Sequence, residues 1–349
     1  IKDTYKQDLT YLNGPVILAT GGLAGFFPTL TTGTVINDGS AVSILFNKGV
    51  ELANLEFIQY HPTTIAISGK RFLVTEAARG EGGRLFTYKN NEKYYFMEDR
   101  YPSLGNLMPR DVVSREEHKI IHEEGYEKIY LDMTSIKEDV WNNKLSDLRN
   151  EIIEYFAKDP KTTPIEVEPG IHFFMGGYNV NNNHETNINR LYAAGECAAI
   201  YHGANRLGGN SLLGALYGGL KASSRLIETY EFIDSETPEL KDYIDSSEAF
   251  KDELKDILFS GLSIKRNEEG IDSAIENIGV LRGKSKNCAD IKRLNVALAM
   301  LNSAKDRHES RGSHFRSDYP ETLEEFRKKT VSKLVNDEVV ISFKDIDED

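Results

Sequence analysis

Three things are scarce or absent in this sequence: cysteine, long apolar runs and a net positive charge. Cys197 and Cys288 are the only cysteines among 349 residues. One disulfide is possible, nothing requires it, and the usage favours a reduced, cytoplasmic setting. No apolar run approaches the eighteen residues that a spanning helix needs, so no membrane insertion is expected. The opening residues IKDTYKQDLT are polar and lack the apolar core of a secretory signal. The formal net charge is −13, which disfavours nucleic acid as a partner. It does not decide what a cleft binds, because a local cationic cluster can sit on an acidic protein. Proline and glycine number 10 and 28, too few to signal disorder.

What is present reads as several domains. GPVILATGG (14–22) predicts a buried strand ending in a glycine turn, and residues 38–49 a helix with Asp38 at its start. Residues 50–170 mix short strands with helices at 110–124 and 146–157, a pattern suited to an α+β insertion. LYAAGE (191–196) repeats the strand-then-small-residue form of ILATGG. Residues 211–231 predict a helix whose small residues permit close approach to other backbone. Charged helices are expected at 247–258, 270–281 and 291–309, followed by a frayed acidic tail, KDIDED.

Certain segments are chemically unusual. In HPT (61–63) the proline holds His61 extended, in a structural or a functional loop. TEAARGEGGR (75–84) is not a dinucleotide-binding turn, because its spacing is not G-x-G-x-x-G and no clear helix follows. Its Glu76 and Arg79 are three apart, which on a helix places them on one face, to exchange a proton or simply to form a surface pair. PRDVVSRE (109–116) starts a helix with Arg110, a cation where the helix dipole disfavours one. HFFMGG (172–177) places His172 before a Gly-Gly turn, as a core histidine or a site residue. HGANRLGGNSLL (202–213) embeds Arg206 among glycines ahead of a helix that Asn210 and Ser211 are suited to cap, and a helix start of this kind suits an anionic or electron-rich ligand edge. HESRGSHFR (308–316) has no cysteine or carboxylate cluster beside its histidines, so no metal site is expected.

Taken in order, FIQYHPT, TEAARGEGG, RDVVSRE, HFFMGG, AAGE, HGANRLGGNSLL and ESRGSHFRSDYP resemble the flavoprotein subunits of succinate dehydrogenase and fumarate reductase, from about Leu12 to about Arg327. The resemblance implies an α/β fold: an incomplete FAD-binding Rossmann-like domain (1–50 and 171–232), an inserted α+β capping domain (51–170) and a C-terminal helical domain (233–349). It implies that the chain starts inside the first domain, without the family's N-terminal dinucleotide-binding segment, and that this piece alone is inactive. It implies FAD contacts at Gly21, Gly22, Asp38, Glu196, Ser211 and Leu212. It implies a C4 dicarboxylate substrate, one carboxylate held by His172 and Arg206, the other positioned by His61, Thr75 and Glu76. Hydride exchange with the flavin and proton exchange with Arg110, fed by Glu76 and Arg79, complete the implied reaction, an electron-transport step between fumarate and succinate. An iron–sulfur subunit or another electron carrier is the implied partner, and a peripheral seat at the cytoplasmic membrane face is compatible. Two departures from the family pattern stand out, Asn37-Asp38-Gly39 for its usual Gly-Asp-Gly and Gly214 where an acidic residue often follows NSLL. Two alternatives remain at this point. One is an L-aspartate oxidase-like enzyme, in whose relatives Ala-Ser usually replaces Gly208-Gly209. The other is an inactive fragment that serves only to bind a partner.

Overall fold

The computed structural model of the chain describes residues 13–231 and 246–346. Strands Val16–Leu18 and Leu191–Ala193 pair in parallel, Val16 opposite Leu191 and Leu18 opposite Ala193. Between them in sequence lies a six-stranded antiparallel sheet, ordered Lys70–Leu73, Ile58–Ile67, Ile165–Phe174, Ile129–Asp132, Arg84–Lys89 and Glu92–Tyr94. The chain thus leaves one α/β layer, builds an α+β cap, and returns beside the strand it left. The cap has its own core, which includes Leu85, Phe96, Met97, Val113, Ile120, Leu131, Trp141 and Val167. The strand Ile165–Phe174 runs through the boundary expected at 170, because its pairing with Ile58–Ile67 continues from Glu168 to Phe174.

HPT lies in the long strand Ile58–Ile67 and not in a loop. Pro62 cannot donate to a ladder, and the pairing shifts register between Gln59 and Tyr60 and again between His61 and Thr64. Such bulges re-aim side chains, here that of His61. The helix Arg110–His122 packs across this strand and turns Arg110, Val113, Ser114, Glu117 and Ile120 inward.

The three C-terminal helices form where expected, at Glu248–Leu262, Glu268–Lys284 and Cys288–Asp306. Ser247, Asn267 and Asn287 cap them, each side chain accepting from a backbone N–H of the first turn. The region expected to be helical also holds two strands, and Lys344 and Asp345 of the expected frayed tail lie in the second of them. Lys328–Val335 and Glu338–Asp345 form a hairpin around Asn336 and Asp337, whose φ values of 51° and 64° suit a two-residue turn. This hairpin pairs with Leu52–Ala53, which pairs in turn with Gly177–Tyr178. The last three residues of KDIDED lie outside the described residues.

The helix Asn210–Glu228 differs in two respects from expectation. Its N-cap is Gly209, at φ 81°, with no side-chain cap, so neither Asn210 nor Ser211 caps it. Its small residues admit side chains and not backbone: a Cβ at Gly218 would lie 1.8 Å from Tyr201 Oη.

Arg307 ties the C-terminal segment to the cap. Its side chain is fully buried, and Nε donates to Glu56 at 2.7 Å, Nη1 to Glu309 at 2.9 Å, and Nη2 to Thr330 Oγ1 at 2.8 Å. Further bonds reach the Phe326 and Lys328 carbonyls. Glu56 and Glu309 side chains are also fully buried. Arg307→Leu leaves Glu56 buried without its cation, while Glu309 keeps Arg311, and is expected to cost about 3–5 kcal/mol, the usual scale for breaking a buried pair. Urea unfolding of wild type and variant checks this, and a midpoint unchanged within error contradicts it.

Candidate active site

Arg110 begins its helix after Pro109 and is 7% exposed. Its guanidinium donates from Nη2 to Glu76 Oε2 at 2.7 Å, from Nε to the same oxygen at 3.2 Å, and from Nη1 to Gln59 Oε1 at 3.0 Å. Glu76 precedes the one-turn helix Ala77–Gly80, and Arg79 Nη2 donates to its other oxygen at 3.2 Å. The i,i+3 reading of Glu76 and Arg79 therefore holds, as a buried-side pair and not a surface one: Arg79 is 3% exposed. Burial works against the Glu76 carboxylate. The hydrogen bond and charge of Arg110, with the charges of Arg79 and Arg206, outweigh it and hold the carboxyl below its ordinary value.

Gln59 is the residue that sequence reasoning missed. While its oxygen takes Arg110, its Nε2 donates to Asn205 Oδ1 at 2.8 Å and to the Arg206 carbonyl at 2.7 Å. Asn205 Nδ2 in turn donates to Asp111 Oδ1 at 2.7 Å. One amide thus fastens the cap helix to the glycine-rich loop. Its only sequence signal is a polar residue in an apolar strand beside His61. Ser313 holds the same loop from the other side, donating from N and Oγ to the Ala204 carbonyl.

In that loop Gly203 and Gly209 have positive φ, 55° and 81°, and Gly208 is required by a close approach. A Cβ there would lie 2.2 Å from Glu76 Oε2 and 3.2 Å from Arg110 Nη2, so only glycine lets the loop pass beside the ion pair. Arg206 is 4% exposed, its guanidinium 4.3 Å from the centroid of Phe173. Burial, then the charge of Arg110, lowers its pKa to about 10, leaving it cationic at neutral pH.

His61 and His172 meet edge to face with ring centroids 5.2 Å apart. His172 Nδ1 is 2.7 Å from Thr32 Oγ1, a partner with no sequence signal. Burial, then Arg110 and Arg206, pushes His172 down to about 3; burial, then His172, Arg110 and Arg79, pushes His61 well below its ordinary value. Both rings are neutral at pH 7. Thr75 is half-buried beside Glu76, its Oγ1 accepting from Ala77 N at 3.4 Å. His61 Nε2 and Arg206 Nε are buried without a partner. Buried polar atoms are normally bonded, so such orphans mark where a polar ligand sits. The grouping of guanidiniums with neutral imidazole donors suits an anion carrying more than one negative charge.

The residues expected to hold FAD fall in two places. Gly21, Gly22 and Asp38 line a cleft of about 290 Å³ with Gly176, Gly177 and Cys197. It lies at the carboxyl ends of the parallel strands, the usual ligand position in such sheets. A Cβ at Gly22 would strike Glu196 Oε1 at 2.3 Å, and one at Gly177 the Cys197 carbonyl at 2.2 Å. Glu196 Oε1 accepts from Phe174 N at 3.0 Å, and burial raises its pKa, partly offset by that bond and Arg206. Asp38 accepts from Ser40 N and Oγ and pairs with Arg293 Nη2 at 2.7 Å, leaving its side chain 29% exposed. Ser211 and Leu212 stand apart from the cleft, in the first turn of Asn210–Glu228. No side chain caps that turn; Asn210 N donates to the Leu207 carbonyl at 3.3 Å, and the N–H groups after it can serve a ligand. The glycine-walled cleft and the open helix start fit an extended dinucleotide. HESRGSHFR is structural: His308 stacks on Tyr319, and His314 is buried with Nδ1 2.8 Å from Arg266 Nη1. Both cysteines are free, Cys197 buried and Cys288 exposed.

Residues 3–212 match the FAD binding domain family and residues 289–349 the fumarate reductase flavoprotein C-terminal family. The succinate dehydrogenase flavoprotein subunit of Bacillus subtilis is 33% identical over 377 residues, covering 95% of this chain and 64% of that protein. An L-aspartate oxidase of Pyrococcus furiosus is 35% identical over 338 residues, covering 95% of this chain and 66% of that protein. Among solved structures, FrdA of E. coli quinol fumarate reductase superposes with a TM-score of 0.78 at 28% identity, over 95% of this chain and 65% of that one. The chain therefore spans under two thirds of the length of these relatives. By its domains and its relatives, it belongs to the FAD-dependent flavoprotein family of succinate dehydrogenases and fumarate reductases.

Proposed function

We propose that the complete flavoprotein interconverts fumarate and succinate. The observation that carries this reading is the buried Arg110 guanidinium, bonded to Glu76 and Gln59 beside Arg206 and two neutral histidines. FAD, when bound, supplies or accepts the hydride at one central carbon of the substrate. The other central carbon takes its proton from Arg110 in reduction and returns it in oxidation. A C4 dicarboxylate carries two negative charges. Arg206, its guanidinium over the Phe173 ring, takes one carboxylate in a bidentate fork, with His172 donating beside it. His61 and Thr75 donate to the other. Neutral imidazoles add hydrogen bonds without adding charge. An arginine is an unusual acid because its pKa is about 12.5 or more. Contact with Glu76, itself bonded to Arg79, lets a proton return to Arg110 as one leaves.

L-aspartate oxidation is the competing reading, since relatives of that name match at similar identity. Assays with fumarate, succinate and L-aspartate on the complete, flavin-loaded protein separate the two. An iron–sulfur subunit or another electron carrier is the partner we propose. No helix among the described residues is long and apolar enough to cross a membrane, and a peripheral seat at the cytoplasmic membrane face is part of the same proposal.

Arg110→Gln is expected to lower kcat by about 10⁴-fold or more, the top of the general-acid range, with substrate Kd little changed. Arg110→Lys keeps the charge but not the fork and recovers little of this loss. Near wild-type turnover for Arg110→Lys would remove Arg110 as the proton donor. Arg206→Ala is expected to raise KM strongly, because the grip on a carboxylate is made in ground and transition states alike. An unchanged KM for both dicarboxylates would sink that assignment. Gly208→Ala pushes the loop off the Glu76–Arg110 pair and is expected to cost about 10²-fold in kcat, the scale of a 1 Å misplacement. Equal turnover of variant and wild type would show that the close approach does not matter.

A further inference from the structure

Arg79 ends the bonded series Arg110–Glu76–Arg79, and its Nε is buried without a partner. The cap helix carries a second group in the same condition. Arg110, Val113, Glu117 and Ile120 follow the 3–4–3 spacing of one helix face, and all are buried. Glu117 is an acid in a stripe that otherwise packs the apolar core of the cap. It is 0% exposed, and neither carboxylate oxygen has a partner. Two charged groups act on it. They are Arg79, bonded to Glu76, and Glu168, on the strand Ile165–Phe174. The Glu168 side chain is 61% exposed, pairs with Arg71 Nη1 at 2.6 Å, and borders a solvent cleft of about 350 Å³.

Packing does not account for Glu117. An unpaired buried carboxylate costs so much that the group takes up a proton instead, and an aliphatic side chain of similar volume would serve the core better. Burial accordingly holds its pKa well above the ordinary range. A buried acid kept protonated beside a working cation is a functional candidate.

Building on the dicarboxylate reading above, we propose that Glu117 is the proton reserve for Arg110, joined to it through Arg79 and Glu76 and refilled from the cleft at Glu168. As Arg110 gives a proton to the substrate carbon, one passes from Arg79 through Glu76 to Arg110. The Glu117 O–H bond breaks and an N–H bond on Arg79 re-forms, leaving Glu117 as a carboxylate beside a cation. A solvent proton entering past Glu168 restores the carboxyl. No electrons move in this step. A buried water bonded to Arg79 Nε and Glu117 would bridge the last gap, since both have free bonding capacity. Glu117 touches no substrate, so it is a positioning residue for the proton and not a catalytic one.

The test uses the complete, flavin-loaded protein with Glu117→Gln, Glu117→Leu and Glu117→Asp. Infrared difference spectra are expected to contain a protonated-carboxyl band that exchanges in D₂O and is lost in Glu117→Gln. With a reduced dye as electron donor, the Gln and Leu variants are expected to lower fumarate kcat about tenfold or more, below a direct acid's effect because Glu117 acts at a remove. Their solvent isotope effect rises, KM stays within about twofold, and the Leu variant unfolds no earlier than wild type. Glu117→Asp recovers part of the turnover. Wild-type kcat and isotope effect in either neutral variant, or the absence of a Glu117 carboxyl band, overturns the proposal. If wild type reduces no dicarboxylate, the functional reading falls, and exchange of the Glu117 band decides the reserve. Exchange slowed by Glu168→Gln supports it, and exchange that ignores Glu168 overturns it.

Discussion

The structure is organised around the need to keep guanidinium groups charged where water is scarce. Arg79, Arg110 and Arg206 are each less than a tenth exposed, and an isolated buried cation is too costly to keep. Glu76 meets this need for two of them at once, one oxygen toward Arg110 and the other toward Arg79. One further nitrogen of Arg110 donates to Gln59 and one of Arg79 to the Asn106 carbonyl. Burial, with the positive field that survives, lowers both histidines, and that field favours a dianion, so the same arrangement that makes the cations tolerable also sets what the pocket attracts.

The same electrostatics join parts of the chain that are far apart in sequence. Gln59 belongs to the cap sheet, Arg110 to the cap helix and Arg206 to the glycine-rich loop, yet one amide side chain bonds all three regions. Behind them Arg307 binds Glu56 at the base of the cap to the C-terminal hairpin. Ser313 pins the loop carbonyl at Ala204. The C-terminal segment therefore supports the site, and through Arg293 it also holds Asp38 of the cofactor cleft. A cap that closes over a substrate needs such a fixed floor, because catalytic groups tolerate little misplacement.

Much of the fold was legible because its elements carry local signals. Apolar runs ended by glycine gave the parallel strands, and the helical stretches read from 247, 270 and 291 gave the three C-terminal helices, whose capping side chains Asn267 and Asn287 lie a few residues ahead of the starts read. The C-terminal hairpin was legible in principle, through Asn336-Asp337 between alternating strands, but the charge of the segment masked it. Pro62 pointed away from a strand, and only the two register shifts in the pairing with Ile165–Phe174 reconcile it with one. The cap of Asn210–Glu228 was misplaced because Asn210 and Ser211 have capping side chains, whereas the left-handed turn at Gly209 starts the helix one residue earlier.

The sequence by itself determined which chemistry is available: the histidines, the Glu76–Arg79 spacing, Arg110 at a helix start and Arg206 among glycines are all local facts. Tertiary structure alone decided which of them meet. That Glu76 serves Arg110 as well as Arg79, that Gly208 must be bare beside them, and that Gln59 holds cap and loop together depend on contacts between residues 34 to 147 positions apart. The acid at 117 is the sharpest case. In sequence it is one more charge on a polar helix, and only the packing of the cap turns it into a fully buried carboxyl with neither oxygen bonded. Local patterns encode side-chain type and backbone preference, but burial and charge pairing are properties of the whole packed chain.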